Sequence, residues 1–360
     1  MSDRPELLPA FAQLEEALKK NWRLGQNMVL CWSPHEAGVL ALIVPHYFLG
    51  NLIASAHARG DAEGMEQFVR GVIGTSRLKS DEELFAIAQR LQVSTTFIKL
   101  DMPFEDDQAL QLADQIIRRY GLGFVESRAV VLFDIAEFSL HAPFEQASQL
   151  NSLSYSMNSA YTKLERLGID VNFARTTTGD GYYVWNRDIG AYPDLDLLTF
   201  LLLVLIDNAA ARQESTGNTV PLIRAGFHVG SHYELFQAEG VNPTLYSYIV
   251  GDVTIALARM LETAEAGQIL MGDFVTALPT RPDPVGPVGL LDAVLEEVAG
   301  FSGLQVGDCP VGTITPRWSG VSADRAHHQI VDKHGLGWHI ASVELDVSLG
   351  DRSLSLGRPL

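Results

Sequence analysis

The stretch ARTTTGDGYYVW, residues 174–185, reads as two extended segments meeting at a tight tip. Ala174–Thr177 and Tyr182–Trp185 are rich in β-branched and aromatic residues, which suit a pleated strand. Gly179 and Gly181 supply the turn, so Asp180 stands as a lone carboxylate at the tip of a hairpin. Outward from this hairpin the chain alternates. AVVLFDIAEFS (129–139) is a strand running into a loop, and residues 144–167 have helical spacing. DLDLLTFLLLVLIDNAAARQES (194–215) is a strongly apolar helix, most simply a core helix lying on a sheet. LIRAGFHVG (222–230) is a strand, IALARMLETAEAG (255–267) a helix and QILMG (268–272) a strand. The order β-α-β-β-α-β, then a helix and another strand, predicts an α+β sheet of ferredoxin-like type.

In that arrangement the end of the first strand lies beside the hairpin of the next two, which brings Asp134 and Asp180 together. Two converging carboxylates make a hard oxygen site of the kind that takes Mg²⁺ or Mn²⁺, with substrate phosphates completing the shell. Spacing alone also allows the more ordinary role, two turn-forming aspartates.

Four segments in order, VVLFDIAEFS (130–139), TTTGDGYYVW (176–185), IRAGFHVG (223–230) and YSYIVGDVTIALARMLETAEAGQILMG (246–272), resemble the class III nucleotidyl cyclase catalytic domain across about residues 126–275. The resemblance implies a lyase of cyclic nucleotide signalling, known from bacterial signalling among others, that turns a nucleoside triphosphate into a cyclic monophosphate and pyrophosphate. It implies that Asp134 and Asp180 hold two Mg²⁺ or Mn²⁺ ions, and that backbone N–H groups of Ala136, Glu137, Phe138 and Ser139 cradle phosphates. Arg259 matches the family's transition-state arginine, whose planar fork suits phosphoryl oxygens. Arg224 and Lys333 match further triphosphate contacts. A homodimer is implied, with metals from one chain and Arg259 from the other.

The departures from the family are as informative. Glu137 replaces a usual glycine. Ile255 replaces an asparagine that orients the ribose, and losing such a positioned polar group costs about a hundredfold in rate. Thr176 and Tyr248 stand at the two base-reading positions, so neither purine-reading pair is present. A non-standard base, a pyrimidine included, is one expectation, and RTTTGD is loosely similar to the hairpin of bacterial pyrimidine cyclases. The alternative is a degenerate, inactive cyclase fold serving as a nucleotide-binding sensor or dimerisation module. A third reading is a fold relative with other metal-dependent phosphate chemistry.

The remainder bounds these readings. A chain of 360 residues suggests more than one domain: a mostly helical N-terminal domain (1–104), a linker helix (105–125) and a cyclase-like domain with a C-terminal strand extension (126–360). Residues 28–100 read as further helices, and STTFIKLDMP (94–103) as a short extended piece. DDQALQLADQIIRRYG (106–121) has a narrow apolar stripe that could pack on a second chain or on its own domain. Against 26 basic side chains stand 44 acidic ones, a net charge of −18, which repels nucleic acid and anionic membranes. AGVLALIVPHYFLGNLIASA (37–56) is uncharged, but Pro45, His46 and Asn51 interrupt it, so a buried helix pair is expected and no membrane span. MSDRPELLPAF lacks the pattern of a signal peptide and only Cys31 and Cys309 are present, so a cytoplasmic location is expected. PDPVGPVG (282–289) reads as an excursion, and DKHG (332–335) as a turn between two strands closing the sheet.

Overall fold

The structure, a computed structural model, describes residues 7–359 except 75, 105, 170 and 239–244. It divides into two units, one made of residues up to Glu126 with His232–Val250, the other of Ser127–Ser231 with Gly251 onward.

The first unit begins with α1 (Leu8–Trp22), β1 (Asn27–His35), β2 (Gly38–Pro45), α2 (Phe48–Ala58) and α3 (Ala62–Gly74). It continues with α4 (Asp81–Leu91), β3 (Thr95–Lys99) and α5 (Asp107–Arg118). The expectation of helices fails at β1 and β2, whereas β3 falls in the extended piece expected at 94–103. Met28–Val44 forms an antiparallel β1–β2 hairpin, to which β3 adds antiparallel. Continuous apolar runs misled the periodicity, because a strand covered on both faces shows no clean alternation. Val39 and Ala41 pack towards α1 and α5, whereas Leu42 and Val44 pack towards α2, α3 and α4. The 37–56 segment is therefore a strand followed by a helix rather than a helix pair. Among the described residues no helix is long and apolar enough to cross a membrane. The stripe of α5, with Ala113 and Ile117 fully buried, packs within its own unit, and Asp106 caps its N-terminus by accepting from Ala109 N–H at 2.9 Å.

The second unit carries most of β4 (Gly123–Ile135), then α6 (Pro143–Arg166), β5 (Phe173–Thr177), β6 (Gly181–Asn186), α7 (Ala191–Glu214) and the first part of β7 (Ile223–Ala238). The rest of β7, from Tyr233, pairs antiparallel with β8 (Leu245–Val250) in the first unit. Then follow α8 (Asp252–Thr263), β9 (Ile269–Gly272), α9 (Pro287–Gly300), β10 (Gln305–Val306) and β11 (Cys309–Ser319). β12 (Val321–Ser322), β13 (Arg325–Ala326), β14 (His328–Val331), β15 (Gly337–Leu349) and β16 (Arg352–Leu356) complete it. The strand order is β10-β11-β15-β9-β7-β4-β6-β5, with β14 and β16 pairing with β15. The C-terminal strands close the same sheet, as expected from DKHG. PDPVGPVG is not an excursion: Val285 bridges Thr276, and Pro287 starts α9 on the core.

One face of this sheet is covered by α6, α7 and α9 around Val131, Phe133, Val184, Phe227 and Met271. α7 is apolar almost all round because it is enclosed, with Leu197 through Asn208 buried without a break. The acids of this layer carry a pH signature. Burial, and then the neighbouring Glu297 carboxylate, push Asp196 up to about 7 from an unfolded value near 3.8. The folded state thus binds more protons than the unfolded chain between those values, and this group's contribution to stability falls as pH rises from about 4 to about 7. Asp196→Asn should raise the melting temperature at pH 8 and leave it unchanged at pH 4; the same shift at both pH values would contradict this.

Candidate functional site

Strand alternation sorts the side chains. Val131 and Phe133 of β4 point into the helix-covered core, so Leu132 and Asp134 face the opposite side. On β7, Ala225 and Phe227 join the core, so Arg224, Gly226 and His228 face the side of Asp134. This second face is covered by α8, whose Val253, Leu257 and Leu261 approach closely where β7 has Gly226 and Gly230. A Cβ on Gly226 would lie 3.0 Å from Leu257 Cδ2.

The hairpin tip is built as the sequence suggests. β5 and β6 pair antiparallel, Thr178 N–H donates to Gly181 O at 3.0 Å, and Gly179 takes φ +105°. Glycine at the first central position is what a two-residue hairpin connection of this hand favours. Asp134 lies opposite Gly181 on the neighbouring strand, and Ile135 N–H donates to Asp180 O at 3.0 Å. Gly181 is a steric requirement, because a Cβ there would sit 1.9 Å from Phe133 O. Gly181→Ala should therefore lower stability by about 3 kcal/mol through β4–β6 separation; a chemical denaturation midpoint equal to the parent's would refute it.

This geometry brings the two carboxylates together. Burial raises the Asp134 pKa above the ordinary carboxylate range, Arg224 opposes that rise, and the adjacent Asp180 carboxyl adds to it. Arg224 Nε donates to Asp134 Oδ2 at 2.5 Å and its Nη1 to Ala264 O at 3.1 Å. Asp180 Oδ1 accepts from Thr178 Oγ1 at 3.2 Å. The result is two adjacent acids, one of them paired with Arg224, with an oxygen-only donor set. Among the described residues no group of three or more His, Cys, Asp or Glu could enclose a metal ion. A Mg²⁺-type site asks for less, one or two carboxylates with phosphates and water filling the shell, and the Asp134–Asp180 pair fits that.

The loop after Asp134 is partly committed. Ala136 is buried, and its N–H donates to Leu222 O at 2.9 Å, so that donor already has an acceptor within the chain. Glu137 holds a left-handed conformation (φ 56°, ψ 23°), which explains why glycine would suit the position. Its side chain is exposed. Phe138 and Ser139 open a 3-10 turn, Phe138–Leu140, where the first N–H groups have no intrahelical acceptor. Gln146 of α6 ties this turn down through Phe138 O and His141 O.

The other predicted residues are distributed more widely. Arg259 lies on α8, donating to Glu262 Oε1 at 2.6 Å and standing 3.4 Å from Asp332 Oδ2. Among the described residues no ion pair joins it to Asp134 or Asp180. Burial acts to raise the Asp332 pKa, but N–H bonds from Leu336 and His334 and the charges of His334 and Arg259 outweigh it and hold it low. The adjacent Lys333 is exposed at the same turn. Ile255 is exposed on α8, an apolar side chain at 47 %. Thr176, opposite Tyr183 on β6, shares the face of Asp134, whereas Arg175 points the other way and donates to Ser154 of α6 at 3.3 Å. Tyr248 belongs to the first unit, opposite Leu235 and partly exposed.

Two contributors escaped the sequence reading. Tyr183 Oη donates to Thr254 O at 3.0 Å, linking the hairpin to α8, and burial followed by the Asp134 charge pushes its pKa up to about 12. Its place two residues beyond Gly181, on the face of Asp134, was the available signal. Asp332, beside Lys333 in DKHG, is the residue that engages Arg259, a role the sequence reading did not give it.

No protein-family model matches the chain, and no curated protein sequence matches it. Solved structures do. The catalytic core of a rhodopsin-guanylyl cyclase with converted specificity, in complex with ATPαS, is 17% identical, with 64% of this chain and 98% of that chain covered and a TM-score of 0.36. The guanylate cyclase domain of RhGC from Catenaria anguillulae with GTP is 16% identical (63% and 99% covered, TM-score 0.36). The adenylyl cyclase CyaB from P. aeruginosa is 14% identical (62% and 95% covered, TM-score 0.39).

Proposed function

We propose that the second unit is a nucleotidyl cyclase-like domain of ferredoxin-like βαββαβ topology, acting on a nucleoside triphosphate as a homodimer. The observation that carries this reading is the apposition of Asp134 and Asp180, two carboxylates at the ends of neighbouring strands with an arginine beside them. Turn-forming aspartates have no need to face one another, and the like-charge cost is one that a bound cation offsets.

The reaction is an intramolecular displacement. The ribose 3′-oxygen forms a bond to the α-phosphorus as the bond to the bridging oxygen breaks, pyrophosphate leaves, and the 3′-hydroxyl proton passes to solvent or a leaving oxygen. Positioning and charge stabilisation supply most of the acceleration. Asp134 and Asp180 would hold Mg²⁺ or Mn²⁺, which would offset triphosphate charge and lower the pKa of the 3′-hydroxyl. Arg224 turns from Asp134 to phosphate oxygens, and the N–H groups of Glu137, Phe138 and Ser139 approach the same oxygens. Lys333 meets the triphosphate from the partner's last hairpin. Arg259, from the partner chain, stabilises charge in flight once freed from Asp332. Thr176 and Tyr248, at the base positions, favour a base other than those read by purine cyclases, a pyrimidine being one.

A second reading is supported by specific contacts. Arg224 occupies Asp134, Glu262 and Asp332 occupy Arg259, and Ile255 offers no hydrogen bond to a ribose. An inactive nucleotide-binding domain would tolerate all three. Both readings predict Mn²⁺ uptake with a non-hydrolysable triphosphate. The free-Mn²⁺ electron paramagnetic signal should fall further when protein is added than with the triphosphate alone, and Asp134→Ala and Asp180→Ala should abolish that additional fall. An unchanged fall in both variants would remove the aspartate pair as the metal site.

A further inference from the structure

On the α7 side of the second unit's sheet, a cavity of about 470 Å³ opens between the last turns of α7, the start of β7, the entry to β9 and the end of β16. Its walls are apolar, formed by Leu205, Leu222, Ile223, Ile269, Leu354 and Leu356. Such a volume lies in the range of small-molecule pockets, which pair apolar walls with a few placed polar groups.

Two polar features distinguish it from a packing defect. Asn208 lines the cavity and is only 4% exposed. Its Nδ2 donates to Pro221 O at 2.9 Å, while its Oδ1 is buried with no donor among the described residues. A buried amide oxygen left without a donor is costly and uncommon, and a ligand donor would satisfy it. At the rim stand Arg212 and Arg358. Arg358 is committed to Glu344 at 3.1 Å and Asp346 at 3.2 Å. Arg212 is exposed and has no ion pair among the described residues, so it is the open positive charge at the mouth.

We propose that this cavity binds a small amphipathic anion, with an apolar body between the leucine and isoleucine walls, an O–H or N–H donated to Asn208 Oδ1, and a carboxylate or sulfonate facing Arg212. A nucleoside triphosphate suits it poorly, because Arg212 is a single open charge beside largely apolar walls. The cavity lies on the face opposite Asp134 and Arg224, so the inference stands independently of the cyclase reading.

The probe is 8-anilinonaphthalene-1-sulfonate, which combines an aromatic body, one N–H and a sulfonate, titrated against the full chain by fluorescence. Saturable binding at one molecule per chain is expected. Ala209→Phe, which adds bulk at a partly exposed lining residue, should abolish it. Arg212→Glu, at an exposed position, should weaken it at least tenfold with an unchanged melting temperature. If Ala209→Phe fails to fold, Arg212→Glu decides alone. Binding that never saturates, or saturable binding of parental affinity in Arg212→Glu, would overturn the proposal.

Discussion

Asp134→Ala is expected to lower cyclic nucleotide formation by about 10³-fold or more, the scale on which a preorganised charge-stabilising group acts. The loss should come with little change in folding. Asp134 carries a raised pKa because burial and Asp180 both disfavour its charge, so its removal relieves repulsion as well as breaking the Arg224 ion pair. The freed Arg224 is 29% exposed at its side chain and can turn to water, so no buried charge is stranded. Asp180→Ala should behave alike, because the Asp180 side chain engages only its hairpin neighbour Thr178 and the adjacent Asp134 among the described residues. The comparison is of product formed per folded chain, with circular dichroism verifying the fold. A variant retaining a tenth or more of parental turnover would show that the pair does not hold the reacting phosphate's counter-charge.

The second large effect concerns two chains. Within one chain Arg259 is paired with Glu262 and Asp332 rather than with Asp134 or Asp180, and in the proposed homodimer it acts on the partner's site. Arg259→Ala alone should lose about 10²–10³-fold of turnover. Mixing that variant with Asp134→Ala should restore activity that neither has alone. Each mixed dimer has one intact site and one doubly impaired site, and random exchange makes half the dimers mixed, so recovery should approach roughly a quarter of the parental rate. Parental activity in Arg259→Ala would mean that the helix carrying it plays no part in the chemistry. An inactive mixture of the two inactive variants would mean that the residues act from one chain.

What the sequence disclosed follows from where local rules are strong. The 174–185 hairpin was legible because strand formers flank a glycine-bearing tip, and Asp134 because a long apolar run stops at a loop. Their apposition followed from element order. β1 and β2 were missed because buried strands and buried helices look alike in continuous apolar runs, and Val29 to Val44 alternates in no useful way. Ala136 was expected to offer its N–H to phosphate, yet it donates to Leu222 O, a residue 86 positions away, and no local pattern reports a contact of that range. The same holds for Asp332 and Arg259: the turn was readable from DKHG, but which of its residues meets α8 depends on how β15 packs. Glu137 is instructive in the other direction. The substitution for glycine was visible in the sequence, and the structure adds that its backbone remains left-handed with the carboxylate outside.

The most direct measurement is turnover itself. Purified full chain is incubated with Mn²⁺ and each of the four ribonucleoside triphosphates in turn, and products are resolved by chromatography beside Asp134→Ala and Asp180→Ala. A cyclic monophosphate with stoichiometric pyrophosphate from at least one triphosphate, absent in both variants, is the predicted result. No cyclic product from any of the four, while Mn²⁺ and triphosphate still bind, would contradict the cyclase reading and leave a nucleotide-binding domain in its place.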